Sequence, residues 1–85
     1  MTEAVSLSVG DKIKTVRMFR QMSQQELGRR TGLSQFVISF IETNRANPTD
    51  DQLSRIKGAL SWPSDEAVEA AFALLSSEAV PVLEN

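Results

Sequence analysis

Five hydroxyl residues punctuate this chain where helices can start. Ser8, Ser23, Ser34, Thr49 and Ser64 each stand directly before a stretch with helical apolar spacing. A side-chain oxygen there accepts from a first-turn amide that has no partner within the helix. Ser23-Gln24-Gln25-Glu26 and Thr49-Asp50-Asp51-Gln52 have the full pattern of a reciprocal capping box, and Ser8-Val9-Gly10-Asp11 has a weak form of it. A chain divided this way is expected to be built from short helices.

The apolar residues agree. Ile13 and Val16 point inward from a first helix over about 9–21. Leu27 lies in a short second helix over about 24–31, which Gly32 closes in the left-handed conformation. Ile38 and Ile41 mark a third helix over about 35–43, and Leu53, Ile56 and Leu60 a fourth over about 50–61. After the break at Trp62-Pro63, Val68, Ala71, Phe72 and Leu75 mark a fifth over about 65–77. No segment reads as a strand, so the fold expected is an all-α, five-helix bundle. Gly58 falls inside the fourth helix at a cost of about 1 kcal/mol relative to Ala, so a close backbone approach is expected there. Residues 9–77 then form one domain, between a flexible arm over 1–8 and a tail over 78–85 that frays.

Composition removes whole classes of function. The 85 residues include no Cys and no His. Disulfides, thiolate zinc sites, Cys nucleophiles and His acid–base chemistry are therefore excluded. Glu26, Glu42, Asp50 and Asp51 all have capping or pairing roles, no glycine loop cradles a phosphate, and no enzyme, cofactor or metal is expected. No apolar run is long enough to span a membrane, and the N-terminus has no basic secretory region. A soluble cytoplasmic protein is expected.

The formal net charge is −2, yet its distribution is uneven. Residues 1–47 hold seven Lys/Arg against four Asp/Glu, and residues 48–85 hold two against seven. The first half is suited to meeting an anion and the second is not. The plain alternative is that charge fluctuates between the halves of any short domain.

The informative stretch is Ser23 to Thr43, SQQELGRRTGLSQFVISFIET. A short helix, a turn holding a Gly and a second helix are the sequence form of a helix-turn-helix. Leu27, Ile38 and Ile41 supply one small core, Gly32 the positive φ of the tight turn, and Gly28 a small residue where the helices meet. The outer face of the second helix keeps Gln35, Phe36, Ser39 and Phe40. Gln35 and Ser39 are polar and can read base edges.

On these residues the chain resembles the phage-repressor/Cro-like (XRE) helix-turn-helix family. The likeness spans about residues 9–61. It rests on S-Q-x-E-L, G-x-S, I-x-x-I-E, N-P and L-x-x-I-x-x-x-L in the family's order and spacing. It implies the phage-repressor type of DNA-binding bundle, with the helix-turn-helix at the second and third helices. Gln35, Phe36, Ser39 and Phe40 would read bases. Gln24, Ser34, Asn44, Arg45 and Asn47 would meet the DNA backbone, with Gln24 also bracing the recognition helix. Arg17 and Glu42 match a buried or half-buried structural pair. The implied function is a sequence-specific, double-stranded DNA-binding transcriptional regulator. It would be a homodimeric repressor on a pseudo-palindromic operator, its own promoter among the candidates. A restriction–modification controller, a phage or mobile-element repressor and an antitoxin-type regulator all stay open.

Three departures from the family pattern bear on the site. Phe36 and Phe40 stand at i, i+4 where many relatives carry polar residues. They serve either as apolar contacts to thymine methyls or a sugar, or as groups that fold into the core or meet a partner protein. Gly28 replaces the usual Ala. Thr43-Asn44-Arg45 follows Glu42 where Gly-Lys or Gly-Arg is common, and Asn44 tolerates the left-handed conformation. Arg29 and Arg30 read either as phosphate contacts or as solvated charge, and Lys12 and Lys14 as solubility residues. Trp62, Val68, Phe72 and Leu75 form an apolar set expected to meet a second copy, the alternative being that the fifth helix packs on the first. A protein-interaction module using Phe36 and Phe40 is the competing function.

Overall fold

The structure, a computed structural model, describes residues 7–76. Among these residues it contains five helices: α1 (Val9–Phe19), α2 (Gln24–Thr31), α3 (Gln35–Glu42), α4 (Asp50–Leu60) and α5 (Asp65–Ser76). Residues 1–6 of the expected arm and the whole of the expected tail over 78–85 lie outside the described residues.

All five hydroxyls cap their helices. Ser8, Ser23, Ser34, Thr49 and Ser64 accept from the amides of Asp11, Glu26, Val37, Gln52 and Ala67 at 2.9–3.1 Å. At Thr49 the box is reciprocal, because Gln52 Oε1 accepts from the Thr49 amide at 3.0 Å. At Ser23 the full box expected from sequence does not close. The Glu26 carboxylate is instead taken by Arg29 Nη2 at 2.6 Å and Arg30 Nε at 2.7 Å. Two guanidiniums outcompete one backbone amide.

The helix ends follow backbone chemistry. Gly32 closes α2 at φ 76°, as the sequence predicts. Gln21, Asn44 and Ser61 take positive φ just beyond α1, α3 and α4, which ends each helix one or two residues before its expected limit. Arg20 crosses to the end of α4, donating from Nε to the Leu60 carbonyl at 2.9 Å and from Nη2 to the Ser61 carbonyl at 2.8 Å. Those carbonyls have no acceptor role within the helix, and a cation there also opposes the helix dipole.

The core is Ile13, Val16, Leu27, Ile38, Ile41, Ile56, Leu60 and Val68. Each such side chain removed from water contributes about 1.5–3 kcal/mol before entropy is counted. In the bundle α2 packs on α3 and α4, while α1 packs on α3 and α5. Val68, which the sequence predicts on a surface for a second copy, is 0% exposed and belongs to the core of a single chain. The reason is that α5 lies on α1 and turns Val68 inward. Trp62 is half-buried against the same core, with Lys57 Nζ 5.4 Å from its ring centroid. Phe72 is half-buried, and the side chain of Leu75 lies outside the description. The close approach expected at Gly58 is not found, because a Cβ there would meet nothing within 4 Å. A close approach between helices is instead found at Gly10, whose added Cβ would collide with the Ile41 carbonyl oxygen of α3.

Candidate nucleic-acid interface

The α2–α3 unit is set by a turn with no room for a larger residue. The Leu33 amide donates to the Gly28 carbonyl at 3.0 Å. A Cβ on Gly28 would lie 2.7 Å from the Leu33 oxygen and 3.3 Å from the Gln35 nitrogen. Gly28 and the left-handed Gly32 together let α3 begin immediately at its cap, Ser34.

The far end of α3 is held by a polar network. Glu42 has a side chain only 1% exposed, and that of Arg17 is 12% exposed. Arg17 donates from Nε to Glu42 Oε2 at 2.6 Å and from Nη2 to Oε1 at 3.0 Å, a two-pronged charge-assisted pair. Arg17 Nη1 also reaches the Met22 carbonyl at 2.7 Å, and Gln24 Nε2 reaches Glu42 Oε1 at 3.0 Å. One carboxylate thus joins α1, the start of α2 and the end of α3.

The remaining face of α3 is open. Gln35 is exposed and Ser39 half-buried. Phe36 is 73% exposed and Phe40 44% exposed, so neither is folded into the core. The inward face carries Ile38 and Ile41, with Val37 packed partly against them. No Lys or Arg lies on α3.

Past α3 the loop is tied to its last turn. The Phe40 carbonyl accepts the Arg45 amide at 2.8 Å and the Ala46 amide at 3.2 Å. Thr43 Oγ1 donates to the Ser39 carbonyl at 2.9 Å. Asn44 takes φ 63°. Asn44, Arg45 and Asn47 are exposed beyond the end of α3, and Ser34 is exposed at its start. Gln24 is half-buried through its bond to Glu42. The sequence did not reveal the double acceptance at Phe40, because a carbonyl leaves no trace in residue type. The positive-φ tolerance of Asn44 was the one available signal.

Arg29 and Arg30 do not stand alone, since both engage Glu26. Hydrogen bonds from Arg29 and then Arg30 hold the Glu26 carboxyl below the ordinary carboxylate range. Among the described residues no group of acidic side chains is placed to hold a metal, and no helix is long and apolar enough to cross a membrane.

A capped pair of short helices around a glycine turn, with the second helix braced inside and open outside, defines a helix-turn-helix domain. The helix-turn-helix family model matches residues 13–66. The chain belongs to that family, and its relatives place it with the XRE, phage-repressor-like members. It is 35% identical over 54 residues to the immunity repressor protein of Bacillus phage phi105, a match covering 64% of this chain and 38% of that protein. The chain thus matches well under half the length of that curated relative. Its fold is similar to the crystal structure of a mutant of the restriction–modification controller protein C.Esp1396I, with a TM-score of 0.62 and 28% identity. That likeness covers 82% of this chain and 90% of the other.

Proposed function

We propose that this chain is a sequence-specific, double-stranded DNA-binding transcriptional regulator, acting in the cytoplasm as a homodimeric repressor on a pseudo-palindromic operator. The observation that carries the reading is α3 itself. Its ends are fixed by Ser34 and by the Arg17–Glu42–Gln24 network, while Gln35, Phe36, Ser39 and Phe40 stay available. A recognition helix needs that combination, because base edges are read only by side chains held in a fixed register in the major groove.

In this reading Gln35, Phe36, Ser39 and Phe40 meet base edges. Gln24, Ser34, Asn44, Arg45 and Asn47 meet the phosphate backbone and set the register. Arg45 is suited to this, because its backbone is tied to the last turn of α3 and its side chain is exposed. The likeness to a phage immunity repressor and to a restriction–modification controller supports regulation as the role.

The second copy is expected on the α1–α5 side. A groove of about 360 Å³ opens there, lined by Val16, Phe19, Ala67, Ala71 and Leu74 among others. Phe19 and Leu74 are among the exposed large apolar residues of the chain. A pair would place two recognition helices about 34 Å apart, one turn of DNA, and would block polymerase sterically.

Fluorescence anisotropy on DNA from upstream of the chain's own gene, against scrambled DNA and across a salt series, tests the proposal. Preference for the native duplex, a steep salt slope and a stoichiometry of two chains per site are expected. No affinity for either duplex at low salt would overturn it and turn attention to a protein partner for Phe36 and Phe40.

A further inference from the structure

The outer face of α3 has an unusual chemistry for reading DNA. It has no cation, so it has no donor for the two-pronged contact to guanine O6 and N7 that Arg and Lys make. It has one carboxamide, Gln35, suited to adenine N6 and N7. Beside it are two phenyl rings one helical turn apart, Phe36 and Phe40, both exposed. A phenyl ring can pair with nothing polar on a base edge. The one apolar group in the major groove is the C5-methyl of thymine.

Resting on the reading of α3 as a recognition helix, we infer that Phe36, with Phe40 behind it, is a reader of pyrimidine C5-methyl groups. Each half-site is then an A·T-rich core in which the methyl group itself carries discrimination. Phe36 is the principal reader, because it is the more exposed of the two and stands on the first turn of α3, where recognition helices reach base edges. Phe40 is partly covered and closes the apolar surface on one side. Val37, between them in sequence, points to the core and leaves the rings on the outer face. Two consequences distinguish this from general A·T preference. Thymine and uracil are unequal at the position Phe36 meets, although they pair identically. Cytosine and 5-methylcytosine are unequal there too, the methylated base binding better.

The test begins with duplexes that the wild-type protein enriches from a random-sequence pool. In the best of these, each thymine is replaced singly by deoxyuridine. At one or two positions per half-site, affinity is expected to fall about fourfold, the effect of removing one buried methyl from contact. At the same positions thymine-to-cytosine changes weaken binding further, and 5-methylcytosine restores part of that loss. The Phe36→Ala variant changes an exposed side chain and keeps the wild-type helical signal by circular dichroism. It is expected to bind more weakly and to lose the thymine–uracil distinction. Sequence preference that survives every deoxyuridine replacement would overturn the methyl reading and leave DNA recognition standing. A Phe36→Ala variant with an unchanged deoxyuridine profile would do the same. Failure of the wild-type protein to enrich any duplex would overturn the recognition reading beneath it.

Discussion

Arg17 and Glu42, on different helices and 25 residues apart in sequence, form a two-pronged ion pair inside the protein. The pair joins α1 to the last residue of α3, and Gln24 adds the start of α2 through the same carboxylate. Burial of both charges is costly, and it is tolerated because the guanidinium and the carboxylate satisfy each other and their neighbours. The network holds α3 at the end opposite its cap.

Removing one partner is therefore expected to cost more than removing both. Arg17→Met keeps an apolar side chain of similar reach but leaves Glu42 as a buried charge. Urea unfolding should show a loss of about 3–5 kcal/mol. Adding Glu42→Leu should recover much of it, because neither charge then remains to be desolvated. A single variant as stable as the parent would mean that the carboxylate finds water in solution.

Two glycines should respond in opposite directions to Ala. At Gly10 the new Cβ meets the backbone oxygen of Ile41, which cannot rotate away as a side chain can. Gly10→Ala should destabilise by about 1–3 kcal/mol as α1 and α3 are pushed apart. At Gly58 the Cβ meets nothing, and Ala is the better helix former. Gly58→Ala should stabilise by about 0.5–1 kcal/mol. Thermal melts of the two variants check both signs.

The contrast between these glycines shows what could be read from the sequence. Helix starts were legible because a cap is a local transaction between a hydroxyl and an amide three residues on, and all five hydroxyls act as predicted. Gly28 and Gly32 were legible for the same reason, within one short turn. Gly10 was not, because the atom that forbids a side chain there belongs to α3. Val68 was misplaced for a related reason. The spacing of Val68, Ala71, Phe72 and Leu75 predicts an apolar face but not what covers it, and α1 covers Val68. Glu26 had a sound local pattern that lost to two guanidiniums one turn away. For the candidate site, the outer position of Gln35 followed from Ile38 and Ile41 facing the core, whereas the sequence left open whether Phe36 and Phe40 fold inward, and only the fold shows both exposed. The attachment of Arg45 to the Phe40 carbonyl was not, since backbone acceptors are shared by every residue type.

Glu26 gives the structure a small, signed pH dependence. Arg29, and next Arg30, favour its ionised form, so its carboxyl is more acidic in the folded chain than in the unfolded one. That contribution is present above the ordinary carboxylate range. It is lost as pH falls through the lowered value, because the unfolded state takes up the proton first. The pair lies at the surface, where solvent screens it, so the effect should be slight and should shrink with salt. Glu26→Gln should flatten the acid limb of the stability profile at low ionic strength and leave neutral-pH stability little changed. An acid limb identical to the parent's would mean that Arg29 and Arg30 are solvated instead.

Base reading and backbone holding should separate in the salt dependence of binding. Gln35 is exposed on the first turn of α3 and uncharged, so it displaces no counterion from a phosphate. Gln35→Ala is expected to cost about 1–3 kcal/mol on the preferred duplex, to relax preference at one base pair and to leave the salt slope unchanged. Arg45 lies beyond the helix end, its amide held at 2.8 Å by the Phe40 carbonyl, and its side chain carries a charge. Arg45→Ala should weaken binding to every sequence alike and reduce the salt slope by about one unit. Anisotropy titrations of both variants on preferred and scrambled duplexes at several salt concentrations resolve the two signatures. If Gln35→Ala lowered affinity equally for all sequences, the carboxamide would be a register contact. If Arg45→Ala altered preference at one base pair, the loop would carry a base reader and the division of roles along α3 would have to be redrawn.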